Sequence, residues 1–107
     1  MATFKGTIRG TTPTFIFRLP FGVDTLANCE IYLAQDDNLI VTKVLSDCIA
    51  EETTLTVTLT QEDTLKFDDD LKLQIQVRFL YTDGTAEATT VIKKKVGQIL
   101  KEGEINE

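Results

Sequence analysis

The sequence predicts an all-β protein, an antiparallel two-sheet β-sandwich of about seven strands with one short helix near residues 61–66. Three observations carry that prediction. Apolar and polar residues alternate with period two along most of the 107 residues, as expected of strands that bury one face. Turn chemistry recurs at intervals of roughly ten residues, the spacing of a sandwich. The chain also holds 17 Thr against a single Ser; threonine, branched at Cβ, suits a pleated surface in a way serine does not. Hydrophobic residues make up 42% and charged residues 26%, an ordinary globular balance. A single domain of this size buries roughly 65% of its unfolded surface, so it needs no covalent staple.

Each element has its own local signal. Thr3 to Arg9 is expected to form a first strand with Phe4 and Ile8 as apolar contacts. Gly10 and Pro13 then end it, because proline cannot donate to a ladder. Arg9-Gly10-Thr11-Thr12-Pro13 therefore reads as a crossing between sheets and, second, as a docking loop. In Thr14–Leu19, Phe15, Phe17 and Leu19 share one face and Ile16 and Arg18 the other. In 29–35, Cys29, Ile31 and Leu33 oppose Glu30, Tyr32 and Ala34. Asp36-Asp37-Asn38 supplies a turn, since short Asx side chains tolerate positive φ, and Leu39 to Leu45 returns as the partner strand.

Residues 54–60 show the cleanest alternation, with Leu55, Val57 and Leu59 inward and four threonines outward. Thr60-Gln61-Glu62-Asp63 follows as a hydroxyl cap with acids in the first turn, the signature of a helix start. Asp68-Asp69-Asp70 limits that helix to about two turns. The longest strand is expected over 72–81, with Leu71, Leu73, Ile75, Val77, Phe79 and Tyr81 on one face. Asp83-Gly84 predicts a two-residue hairpin. That loop would set Phe79 opposite Ala88, Leu80 opposite Glu87, Gln76 opposite Val91 and Ile75 opposite Ile92, with Ala86 and Ala88 leaving room for Phe79 and Tyr81. Gly97 marks a stop, Ile99-Leu100 forms a short apolar patch, and an acidic, flexible tail is expected over about 102–107. A strand that ends in a helical turn, then a long strand and a tight hairpin, gives an Ig-like order. The hallmark Trp is absent, and Cys29 and Cys48 lie too near in sequence for the usual inter-sheet bridge.

Charge narrows the range of functions. The net charge is −6, which disfavours nucleic acid and anionic membranes as partners. Residues 1–23 carry three bases and no acid, 24–70 twelve acids against Lys43 and Lys66, 71–101 six bases against two acids, and the last six residues three acids. Folding either mixes these segments or leaves oppositely charged faces suited to docking. The lysines of Lys93-Lys94-Lys95 point alternately to opposite faces of a strand and so protect an edge better than they bind phosphate. No secretory h-region and no apolar run of ~20 residues is visible, so a cytoplasmic location, or exit inside something larger, is expected. Cys29 and Cys48 are then reduced, small buried hydrophobes.

The absence of His removes Ser-His and Cys-His catalysis and the commonest metal ligand. The acidic turns at 36–38 and 68–70 hold the only clustered ligand chemistry, but calcium needs six to eight converging oxygens. They read as solvated turns; no cofactor and no metal are expected. Candidate contacts are instead the apolar residues on outward faces, Ile16, Tyr32, Leu80 and Val91, together with Arg9 and Thr11 of the crossing.

Ile8-Arg9-Gly10-Thr11-Thr12-Pro13-Thr14, Leu59-Thr60-Gln61-Glu62-Asp63-Thr64-Leu65-Lys66-Phe67, Ile75-Gln76-Val77-Arg78 and Ile99-Leu100-Lys101-Glu102-Gly103-Glu104-Ile105 resemble segments of small Ig-like β-sandwich proteins of phages and prophages of Gram-positive gut bacteria. That group is loosely similar to the N-terminal domain of phage baseplate upper proteins, and the resemblance runs from about residue 8 to 105. It implies a tail, baseplate or other virion-associated setting, with no catalytic residue to carry over. The expected function is a non-enzymatic structural or accessory role through protein–protein contacts, with another phage structural protein or a second copy as partner. The alternative is a carbohydrate-binding or adhesion module, which only Tyr32 and Tyr81 would serve as sugar-stacking aromatics; a small hydrolase is disfavoured by the missing ligands.

Overall fold

In the computed structural model, residues 7–107 are described; the expected first strand therefore lies partly outside the described residues, with Phe4. The strands are β1 (Thr7–Ile8), β2 (Thr14–Arg18), β3 (Leu26–Gln35), β4 (Asn38–Val44), β5 (Ile49–Glu51), β6 (Thr54–Thr58), β7 (Leu73–Tyr81), β8 (Ala86–Ala88), β9 (Ile92–Lys94) and β10 (Val96–Gly97). One helix, α1 (Gln61–Leu65), joins β6 to β7. Two sheets pack face to face. One has the order β2-β6-β5; the other has β4-β3-β7-β8, with β9 also on β7, and β1 pairs with β10 in parallel. This is the strand order of an immunoglobulin-like sandwich, with the helix at the crossing between its sheets. No helix among the described residues is long and apolar enough to cross a membrane.

The alternation read from sequence becomes the core. Cys29 and Ile31 of β3 and Val77 and Phe79 of β7 are buried against Leu55 and Val57 of β6, while Leu33 of β3 and Leu73 and Ile75 of β7 are buried with Leu59, Phe67 and Val96. Phe15 and Phe17 of β2 pack against both halves of this core. Full burial of one such side chain is worth ~1.5–3 kcal/mol, several times an exposed threonine pair such as Thr14–Thr58 at 2.9 Å. The threonines of β6 do face outward, as the alternation predicts, along the row Thr54, Thr56 and Thr58.

Local turn chemistry behaves as expected at two places. Asp36 and Asp37 have φ of 51° and 63°, the consecutive positive values of a type I′ hairpin, so that Gln35 pairs with Asn38. Gly10 has φ of 77°, and a Cβ there would lie 3.3 Å from Ile99 Cδ1. The chain thus turns from β1, beside β10, to β2 in the other sheet, which makes 9–13 a crossing.

The β7–β8 register corrects the two-residue loop. Arg78 faces Ala88, Phe79 faces Glu87 and Leu80 faces Ala86, one residue away from the expectation. The loop is Thr82-Asp83-Gly84, closed by Tyr81 N–H donating to Thr85 O at 2.9 Å and Gly84 N–H to Tyr81 O at 3.0 Å. Gly84, at φ of 89°, takes the left-handed position of a three-residue loop. Thr82 N–H is meanwhile drawn to Thr25 O, a contact that sequence cannot display. Ala86 and Ala88 are therefore exposed on the outer face and leave no room for Phe79 or Tyr81. An irregularity after Ala88 restores the expected pairing of Ile75 with Ile92; there Thr89 N–H donates to Val77 O at 2.9 Å and Thr89 Oγ1 accepts from Val77 N–H at 3.1 Å. Strand β7 also begins later than expected, leaving Leu71 exposed in the preceding turn.

Gln35 explains that late start. Buried at the end of β3, its amide donates to Asp68 O at 2.7 Å and Leu71 O at 3.0 Å and accepts from Asp68 N–H at 2.7 Å. Gln35→Leu keeps the volume but strands a buried N–H and two carbonyls. Loss of about 2–3 kcal/mol is expected, read as a lower urea midpoint; an unchanged midpoint would show that the 68–71 turn is held by other contacts.

Candidate functional site

The outer face of the larger sheet gathers residues from four strands. Tyr32 and Ala34 come from β3, Leu39 from β4, Gln74, Gln76 and Leu80 from β7, and Ala86 and Ala88 from β8. Leu39 is 64% exposed, Val91 48% and Leu80 43%. Tyr32, Ala34, Leu39, Gln74, Gln76 and Val91 line a shallow depression of about 170 Å³, below the ~300 Å³ at which small-molecule pockets begin. Its walls are apolar side chains and primary amides. Tyr32 OH donates to Glu30 Oε1 at 2.8 Å and accepts from Arg78 Nη1 at 3.4 Å, which holds its ring across the face. Asp37 borders the depression, with N–H to Gln74 Oε1 at 2.8 Å and Oδ1 from Gln74 Nε2 at 2.9 Å. A surface of this kind excludes water from a flat partner better than it orients a small molecule.

The sequence-derived contact residues separate into three groups. Tyr32, Leu80 and Val91 share this outer face. Ile16, 57% exposed, lies on the outer face of the opposite sheet, in a row with Thr56 and exposed Ile49. Arg9 and Thr11 are anchoring residues. The Arg9 side chain is 16% exposed; its Nη2 donates to Leu65 O at 2.9 Å and Glu102 Oε2 at 3.0 Å, and Nη1 pairs with Glu102 Oε1. Thr11 Oγ1 donates to Ile8 O at 2.6 Å, while its carbonyl accepts from Thr64 Oγ1 at 2.8 Å. The Arg9 guanidinium holds the Glu102 carboxyl below its usual range. The acidic tail is thereby tied to the last turn of α1, and Gln61 adds two bonds to the backbone of Ile105.

Leu39 is the face residue that sequence reading passes over. Ala34 faces Leu39 whereas Leu33 faces Val41, so β4 carries one extra residue beside Ile40. Such a bulge reverses the parity of everything beyond it, and alternation alone gives Leu39 no side.

A second polar centre positions the helix. Thr60 Oγ1 accepts from Asp63 N–H at 3.0 Å, and Asp63 Oδ2 accepts from Thr60 N–H at 2.9 Å, a reciprocal cap. Lys43 Nζ, reaching across from β4, lies 2.9 Å from the same Oδ2. Burial alone raises the Asp63 pKa; hydrogen bonds from Thr60 and Lys43 outweigh it and hold the carboxyl below its ordinary value. The Asp68, Asp69 and Asp70 carboxylates come within 4.8 Å of one another, but Asp68 Oδ1 already accepts from Asp70 N–H at 2.8 Å. With one oxygen from each, three carboxylates on a turn supply half or fewer of the oxygens calcium takes. Set against known families, curated proteins and solved structures, the chain matches none.

Two measurements follow from these polar centres. The folded Asp63 pKa lies below the unfolded one, so its contribution is complete above pH ~4 and fades as pH falls through the folded value. Asp63→Asn is expected to lose about 1–2 kcal/mol at pH 6–7, the gap to the parent narrowing below pH 4 in denaturant titrations; a pH-independent gap would dissociate the ion pair from stability. Calcium added to the parent is expected to give a flat calorimetric titration, and a saturable heat abolished by Asp69→Asn would make 68–70 a site.

Proposed function

We propose that the protein is a non-enzymatic structural or accessory module of a phage or prophage particle, acting through protein–protein contact on the outer face of the β4-β3-β7-β8 sheet. One observation carries this reading. Leu39, Val91 and half-buried Tyr32 meet around one depression on this face; Leu80 lies farther along the same face, beyond Glu30 and Arg78, with Ala86 and Ala88 beside it, whose small side chains allow close approach. Exposed apolar side chains gathered on one sheet face among polar ones are the form of a contact surface. The resemblance of residues 8–105 to phage-encoded sandwich proteins supports the setting, and another structural protein of the particle is the partner.

The test uses particles purified by density gradient from an induced host, with tagged variants supplied in trans and quantified by mass spectrometry. Leu39→Asp with Leu80→Asp is expected to lower incorporation at least ~10-fold, since charge at the centre of a contact is costly, while surface positions leave stability within about 0.5 kcal/mol. Ile16→Asp, on the opposite sheet, is expected to incorporate normally. A parent chain absent from the particles would overturn the setting, and undiminished incorporation of the double variant would overturn the face.

A further inference from the structure

The two cysteines, 19 residues apart in the chain, meet in the fold. Cys29 lies on the inner side of β3, opposite Phe79, buried among Leu26, Ile31 and Val57. Cys48 follows a 3-10 turn at Leu45–Asp47 and packs half-buried against that same cluster. Asn28 fastens the two segments together: its Oδ1 accepts from Cys29 N–H at 2.9 Å and from Leu45 N–H at 3.4 Å. Cys48 N–H donates to Leu45 O at 3.0 Å, and its Sγ leans toward Val44 O at 3.5 Å. The backbone on both sides is thus fixed by hydrogen bonds, and Cys48 packs against the cluster that holds Cys29.

We propose that Cys29 and Cys48 form an oxidisable pair, closing to an intramolecular disulfide that clamps the 45–48 turn, and with it the end of β4, onto the core. The bridge joins β3 to that turn, not one sheet to the other, which is why the short chain separation permits it. With hydrogen peroxide as oxidant, the half-exposed Cys48 sulfur attacks one oxygen. An S–O bond forms, the O–O bond breaks, and a water leaves with the thiol proton, giving a sulfenic acid. The Cys29 sulfur then attacks Cys48 sulfur; the S–S bond forms, the S–O bond breaks, and the second water carries off the Cys29 proton. The two thiols lose two electrons and one peroxide becomes two waters.

Burial sets the pace. It pushes the Cys29 thiol up to about 12 and raises that of Cys48 as well, with Asp47 adding to the rise at Cys48. Neither sulfur is a thiolate at neutral pH, so mild oxidants act slowly. The pair is a stabilising clamp, not a rapid sensor. It shortens the excursions of the unfolded chain, which favours the folded form.

The experiment treats the full chain with excess hydrogen peroxide and maps the peptides without reduction. The expected product is monomeric, lighter by two hydrogen atoms, linked Cys29 to Cys48, without free thiol, and ~5 °C or more higher in Tm. Dithiothreitol is expected to reverse the gain. Cys48→Ser, which retains a donor toward Val44 O at a half-buried position, is expected to keep the reduced Tm and lose the oxidative rise. Sulfinic acid at Cys48 with Cys29 still titrating, or disulfide-linked dimers as the main product, would overturn the proposal.

Discussion

The antiparallel pairing of β3 with β7 is the constraint on which the sandwich rests. These two longest strands put Cys29, Ile31 and Leu33 beside Phe79, Val77 and Ile75 in one unbroken register, and almost none of that surface reaches water. Every other element is placed by this slab. Strands β2 and β6 cover it with Phe15, Phe17, Leu55 and Val57, β4 extends one edge and β8 and β9 the other. Slipping the pair by one residue would turn all its apolar side chains outward, so burial fixes the register far more firmly than hydrogen bonding, whose net value per bond is only about 1 kcal/mol.

Polar side chains then settle how the rest of the chain closes around the slab. Gln35 fixes the turn before β7, Asp63 joins the helix cap to Lys43 on β4, and Arg9 joins the crossing and the last helical turn to Glu102. Each sits at an end of an element and satisfies backbone or charged groups that packing would otherwise strand. The uneven charge along the chain is partly resolved in this way. The basic start meets the acidic tail through Arg9, and the acidic middle meets its own Lys43.

The apolar band on the outer face is a by-product of the same pairing and the reason for assigning the module to contacts. Tyr32 and Leu80 alternate with core residues on β3 and β7, so the rigidity of the core is passed to the face. Tyr32, held by Glu30 and Arg78, gives the face a fixed aromatic ring at little further entropy cost. Three of the band's members were legible as apolar residues out of phase with their strands. Leu39 was not, because the bulge near Ile40 changes its side, and Ile16 shared the signal while lying on the opposite sheet. Sequence parity tells in from out but not which sheet, since that depends on which strands pair across the chain.

The sequence by itself determined the all-β class, the faces of β2, β3, β6 and β7, the Asp36-Asp37 turn and the Thr60 cap of α1. All of these depend on residues within a few positions of one another, and period-two burial, positive φ and capping act at that range. The tertiary structure alone decided the three-residue loop at 82–84, the partners of Arg9, Lys43 and Gln35, the convergence of Tyr32, Leu39 and Val91 on the face that Leu80 shares, and the meeting of Cys29 with Cys48. Those rest on contacts between distant segments. A one-residue bulge or a single hydrogen bond, such as Thr82 N–H to Thr25 O, shifts them without leaving a trace in local pattern.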